Sequence, residues 1–205
     1  MASGINQRNT AMPTASGALA TLKCKTPESW AAWLAKHRAS CPGIWLQIAR
    51  KDSGIASVTH AEALEAALCQ GWIDGQRNAL DAQYFLQKFT PRRARSTWSK
   101  INCDKAMVLI ASGKMQPAGL AEVERAKADG RWDAAYDAQS KMTVPDDLAA
   151  LLAKKPKAKA FFESLDSRNR FAILFRLQTA KKAETRERRL ANFFAMLQRG
   201  EKIHP

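Results

Sequence analysis

Every β-prone run in this chain lies before Pro91, and every periodic segment beyond Asn102 reads as helix. That asymmetry predicts an α+β fold: a small, mainly antiparallel three-stranded sheet covered by helices, followed by an all-helical C-terminal part. The strands are expected at residues 43–50, 72–77 and 83–90. In the last of these Tyr84, Leu86 and Lys88 alternate with Phe85, Gln87 and Phe89, so one face can be buried. Residues 78–82 fit a hairpin loop between the second and third strands.

Capping chemistry marks the helices. Thr26-Pro27-Glu28 supplies a capping side chain, a proline suited to the first helical position and an early acid ahead of Trp30, Trp33 and Leu34. Thr59 and Glu62 have capping-box spacing and open a second helix, which Gly71 ends. Further helices are expected at 103–112, 117–129, 145–153, 167–180 and 184–199, and Pro156 starts a short one before the last two. Residues 1–24 show no sustained period and read as a flexible tail, 25–140 as the α+β domain and 141–205 as a helical domain with its aromatics in the core.

With 205 residues, 46% of them apolar and 25% charged, the chain is long enough to bury a core. No apolar run approaches the roughly 18 residues of a bilayer span, and the N-terminus lacks the pattern of a secretory signal, so a cytoplasmic location is expected. Cys24, Cys41, Cys69 and Cys103 stand at wide intervals with no histidines at zinc spacing, which predicts neither a disulfide framework nor a metal site. An enzymatic reading would rest on Glu62 or Asp74 as acid or base, with Cys69. Glu62 is already explained by its capping box and Asp74 as an arginine partner, so no catalytic residue and no cofactor are predicted.

The net charge is +14, and residues 142–205 carry fourteen basic against seven acidic groups. Such a chain attracts polyanions. Residues 89–102 join Arg92, Arg93, Arg95 and Lys100 to Trp98, pairing forked donors suited to phosphate or carboxylate with a flat apolar face. The expected ligand site combines these, with Asn102, and Asp74 and Gln76, which the two-residue period puts on one side of their strand. Trp98 is expected to be half-buried, lining a cleft beside Arg92 and Asp74. The predicted function is non-enzymatic binding of an anionic small molecule or polyanion. The alternative is nonspecific nucleic-acid association through the C-terminal helices, where Lys154, Lys155, Lys157 and Lys159 precede the Lys181, Lys182, Arg186, Arg188 and Arg189 cluster.

Several separated motifs carry a family resemblance. They are Trp30-x-x-Trp33-Leu34, Gly43-Ile-Trp45-Leu46, the run from Glu62 to Gly71-Trp72-Ile73-Asp74-Gly75, residues 89–102, Asp129-Gly130-Arg131-Trp132-Asp133 with Tyr136, and Ile203-His204-Pro205. In order and spacing they resemble the YdeI/OmpD-associated family over residues 26–205. Gln70 stands where relatives usually have an aromatic residue, and His60 where they often have tyrosine. The family's label, bacteriocin protection, implies a link to bacterial survival of cationic antimicrobial peptides, to stress protection and to an outer-membrane porin. A chain of +14 repels cationic peptides, so protection would act through an anionic partner.

Overall fold

The structure, a computed structural model, describes residues 19–205. Of the tail expected over 1–24, residues 1–18 lie outside that range, and Thr21–Lys23 form a strand, β1. The chain divides into two compact units, one of residues up to 96 with 104–130, the other of 97–103 with 131–205.

In the first unit β1 is followed by α1 (Pro27–His37), β2 (Ile44–Ala49), α2 (His60–Cys69), β3 (Trp72–Ala79) and β4 (Tyr84–Pro91). The sheet has four strands in the order β1-β2-β4-β3, not the three expected. Its extra member is three residues long, too short for alternation to show in a sequence. β1 pairs parallel to β2, with Thr21 opposite Trp45, and α1 provides the crossover that a parallel pair requires. The other pairings are antiparallel. The hairpin loop shrinks to residues 80–83, where the Asp81 carboxylate accepts from the backbone N–H of Gln83 and of Tyr84, both at 2.7 Å.

Alternation in the strands buries Ile44, Leu46 and Ile48 on β2 and Phe85, Gln87 and Phe89 on β4, and α1 and α2 cover that face. Trp30 is fully buried, lies 5.3 Å from the Phe89 ring and donates Nε1–H to the Ala63 carbonyl at 3.0 Å, which ties α1 to α2 and to the sheet. Capping boxes form at both Thr26 and Thr59. Beyond the sheet come α3 (Lys100–Ala111), whose first turn falls in the second unit, and α4 (Pro117–Ala128), which packs on α2. A Cβ at Gly119 would stand 2.5 Å from the carbonyl oxygens of Leu68 and Cys69, so only glycine permits that approach.

The second unit holds α5 (Asp146–Ala153), α6 (Pro156–Ser164), α7 (Ser167–Gln178) and α8 (Ala183–Gln198) around Leu148, Leu152, Phe162, Ile173, Leu177 and Leu197. One bridge, Ser99 with Tyr136, is its strand-like pairing among the described residues. Buried Asn169 on α7 accepts at Oδ1 from the backbone N–H of Ile203 and His204, and donates from Nδ2 to the His204 carbonyl and to Asp166. No helix among the described residues is long and apolar enough to cross a membrane.

Candidate functional site

Of the residues expected to form one site, Asp74, Gln76, Arg92, Arg93 and Arg95 belong to the first unit, and Trp98, Lys100 and Asn102 to the second. Asp74 was expected to face an arginine. It takes a hydrogen bond instead from His60 Nε2, 3.0 Å from its Oδ2, because the start of α2 lies beside β3. Gln76 does not share a side with Asp74. β3 advances from Asp74 to Arg77 while β4 steps back only from Phe89 to Gln87, and the bulge cancels the two-residue period. Buried Gln87 braces it, donating Nε2–H to the carbonyls of Gly75 and Gln76 at 3.0 and 3.3 Å. Gly75 is the sequence signal that could have announced the bulge.

Arg92 is 6% exposed, and its backbone N–H extends the β3–β4 pairing by donating to the Gly71 carbonyl. It does not offer a free fork to solvent. Arg93 and Arg95 differ: both are exposed and enter no ion pair among the described residues. Their turn is closed from both ends, with Arg93 N–H donating to Ser96 Oγ and Ser96 N–H to the Arg93 carbonyl, each at 2.9 Å.

In the second unit Trp98 is 2% exposed, so the expectation of a half-buried ring is corrected. Its ring centroid lies 5.0 Å from that of Trp132, and the backbone around it pairs with Tyr136, whose N–H donates to the Trp98 carbonyl at 3.0 Å. Nothing in local sequence signals this, because Trp132 and Tyr136 are distant along the chain. Lys100 Nζ is 2.7 Å from Asp137 Oδ1, and Gln178 Nε2 donates to the other Asp137 oxygen. Hydrogen bonds from Lys100 and then Gln178 hold the Asp137 carboxyl below the ordinary carboxylate range. Half-exposed Asn102 gives its backbone N–H to Ser99 Oγ, which caps α3.

A cavity of about 300 Å³ in the second unit has mixed walls, Asp137, Thr143, Gln178 and Arg186 beside Met142, Pro145 and Leu174. Arg186 is already engaged by Asp147, whose carboxyl it depresses. Another, of about 380 Å³, is mostly apolar and shares Met142 and Leu174 with the first. Local sequence signals neither, since each is made by residues from separate helices and the connections between them. Burial first, then Glu65, pushes the Cys69 thiol up, so it stays protonated and a poor nucleophile. Among the described residues no group of three or more His, Cys, Asp or Glu side chains is placed to hold a metal.

Residues 141–200 match the family described as Bacteriocin-protection, YdeI or OmpD-Associated. These helices are a YdeI/OmpD-associated domain. The matched residues include Asn169, Arg186 and the walls of both cavities except Asp137. The resemblance seen in the sequence ran over residues 26–205, whereas residues 22–122 match a separate model, Domain of unknown function (DUF8412). No curated protein and no solved structure matches the chain. The YdeI/OmpD-associated match thus follows in sequence a stretch that carries all of the sheet except Thr21 at the start of β1.

Proposed function

We propose that this protein is a non-enzymatic binder of anionic ligands, with Arg93 and Arg95 as its contact residues. The observation that carries the reading is their turn: two exposed guanidinium groups without acidic partners among the described residues, on a backbone fixed by reciprocal hydrogen bonds to Ser96. Guanidinium forks match phosphate and carboxylate, and a preset turn lowers the ordering cost of binding. The engagement of Asp74 by His60 and of Glu62 by the Thr59 cap supports binding over catalysis. In the setting that the family's description names, bacteriocin protection, an anionic partner suits the +14 charge better than a cationic peptide does.

Titration of inorganic phosphate and of nucleoside triphosphates into the full chain tests this reading. Arg93→Ala with Arg95→Ala should weaken binding about tenfold or more, with the melting temperature nearly unchanged, since exposed and unpaired side chains add little stability. Unaltered affinity in the double variant defeats the assignment.

A second reading, nonspecific nucleic-acid association, draws on Lys154, Lys155, Lys157, Lys181, Lys182 and Arg188, all exposed and in no ion pair among the described residues. It predicts a linear fall of log affinity with log salt and indifference to oligonucleotide sequence. No binding at low salt rejects it.

A further inference from the structure

The mostly apolar cavity of the YdeI/OmpD-associated domain is built by one spacing used three times. Ala149, Leu152 and Ala153 on α5, then Lys159, Phe162 and Glu163 on α6, then Arg170 and Leu174 on α7 stand three or four positions apart, so each helix turns one face to the same space. The alanines on α5 leave room that larger residues would fill. Met142 and Val144 close the remaining side, and Val144 is 37% exposed, an apolar lip in contact with water.

Arg170 gives this cavity a charge. Its Nη2 donates to the carbonyls of Glu163 and Leu165, and its guanidinium lies 5.8 Å from the Phe162 ring, but no carboxylate pairs with it among the described residues. Its Nε is buried with no hydrogen-bond partner. Lys159 adds a second cation, held only at 3.9 Å from the exposed Glu163 carboxylate. A space of about 380 Å³ with mostly apolar walls, where Arg170 and Lys159 outweigh the single carboxylate of Glu163, fits neither a polar metabolite nor a cationic amphiphile.

We propose that this cavity binds a single-chain amphiphile with an anionic head, the hydrocarbon chain lying among Met142, Leu152, Phe162 and Leu174 and the head group meeting Arg170 and Lys159. The proposal concerns a site in the helical unit and stands apart from the Arg93 and Arg95 turn.

The test uses the full chain and monomeric amphiphiles below their micelle concentrations, followed by calorimetric titration. Straight-chain carboxylates of increasing length should bind about fourfold tighter per added methylene until the cavity is full, which is the transfer free energy of a CH₂ group expressed as affinity. At equal length the alcohol and the trimethylammonium analogue should bind at least tenfold more weakly, and comparing the carboxylate with the alkyl phosphate identifies the head group preferred. Ala153→Trp, which fills the space from an exposed position, should abolish binding. Arg170→Gln and Lys159→Gln should each reduce the preference for the anionic head, and Lys159→Gln leaves the carbonyls bonded by Arg170 untouched. Arg93→Ala with Arg95→Ala should bind the carboxylates normally, so the two sites fail or survive separately. Absence of chain-length dependence, equal binding of the cationic analogue, or undiminished binding by Ala153→Trp would overturn the proposal.

Discussion

Asn169 is 1% exposed and uses both ends of its amide, so its side chain decides whether the segment at Ile203 and His204 is docked. Replacing it with alanine strands two backbone donors, and an orphaned buried polar group costs about 1–3 kcal/mol. Asn169→Ala should therefore lose about 2–3 kcal/mol in equilibrium denaturation, with hydrogen exchange at Ile203 and His204 accelerated more than in the α7 core. Trp98 is a second such residue. Its burial against Trp132 makes Trp98→Ala a cavity mutation expected to cost about 3–5 kcal/mol, with Trp98→Phe recovering a substantial part. If Trp98→Ala denatures like the wild type, the anchoring role is wrong. The sequence marked residues 89–102 as unusual but not what each side chain would do. Arg92 and Trp98 look as solvent-directed as Arg93 and Arg95 in local pattern, and their burial depends on partners that only the folded chain supplies.

Among the elements, those whose signals are local were legible. Thr59 and Glu62 sit three apart, and the box they form is seen with Glu62 Oε2 2.8 Å from the Thr59 backbone nitrogen. Those hydrogen bonds also hold the Glu62 carboxyl below its ordinary range. Thr59→Ala should cost about 1 kcal/mol, read as a shift in the denaturation midpoint at unchanged slope. The helices after Asn102 were equally readable, since Pro117, Pro156 and Gly200 punctuate runs of clear period. What escaped was non-local. β1 is a strand because β2 offers it a parallel edge, and the bulge at Gly75 and Gln76 exists because Gln87 across the sheet braces it. Gly119 belongs to the same class, a helical glycine whose reason is the α2 backbone. Gly119→Ala should destabilise the α2–α4 contact by about 1–3 kcal/mol, against a helix-propensity gain of roughly 1 kcal/mol that would appear alone if the close approach were absent.

At the scale of the whole chain, a formal charge of +14 means that each carboxylate lost to protonation adds to self-repulsion as well as breaking its own contacts. Several carboxyls are held below their ordinary range by their contacts: Arg186 lowers Asp147, the Asn169 backbone N–H lowers Asp166, and the Thr59 backbone N–H lowers Glu62. A group whose pKa is lower folded than unfolded contributes its stability above the unfolded value and loses it as pH falls through the folded one. The unfolded values lie near 4, so these groups should leave stability level above about pH 5 and steepen its decline below about pH 4. Asp147→Asn should be less stable than the wild type at neutral pH and show a shallower loss in acid, because the charge interaction that protonation removes is already gone. Denaturant titrations at closely spaced pH values measure both slopes. Equal acid slopes in the two proteins would show that general repulsion among the basic groups, and not the Arg186–Asp147 contact, governs how this chain unfolds in acid.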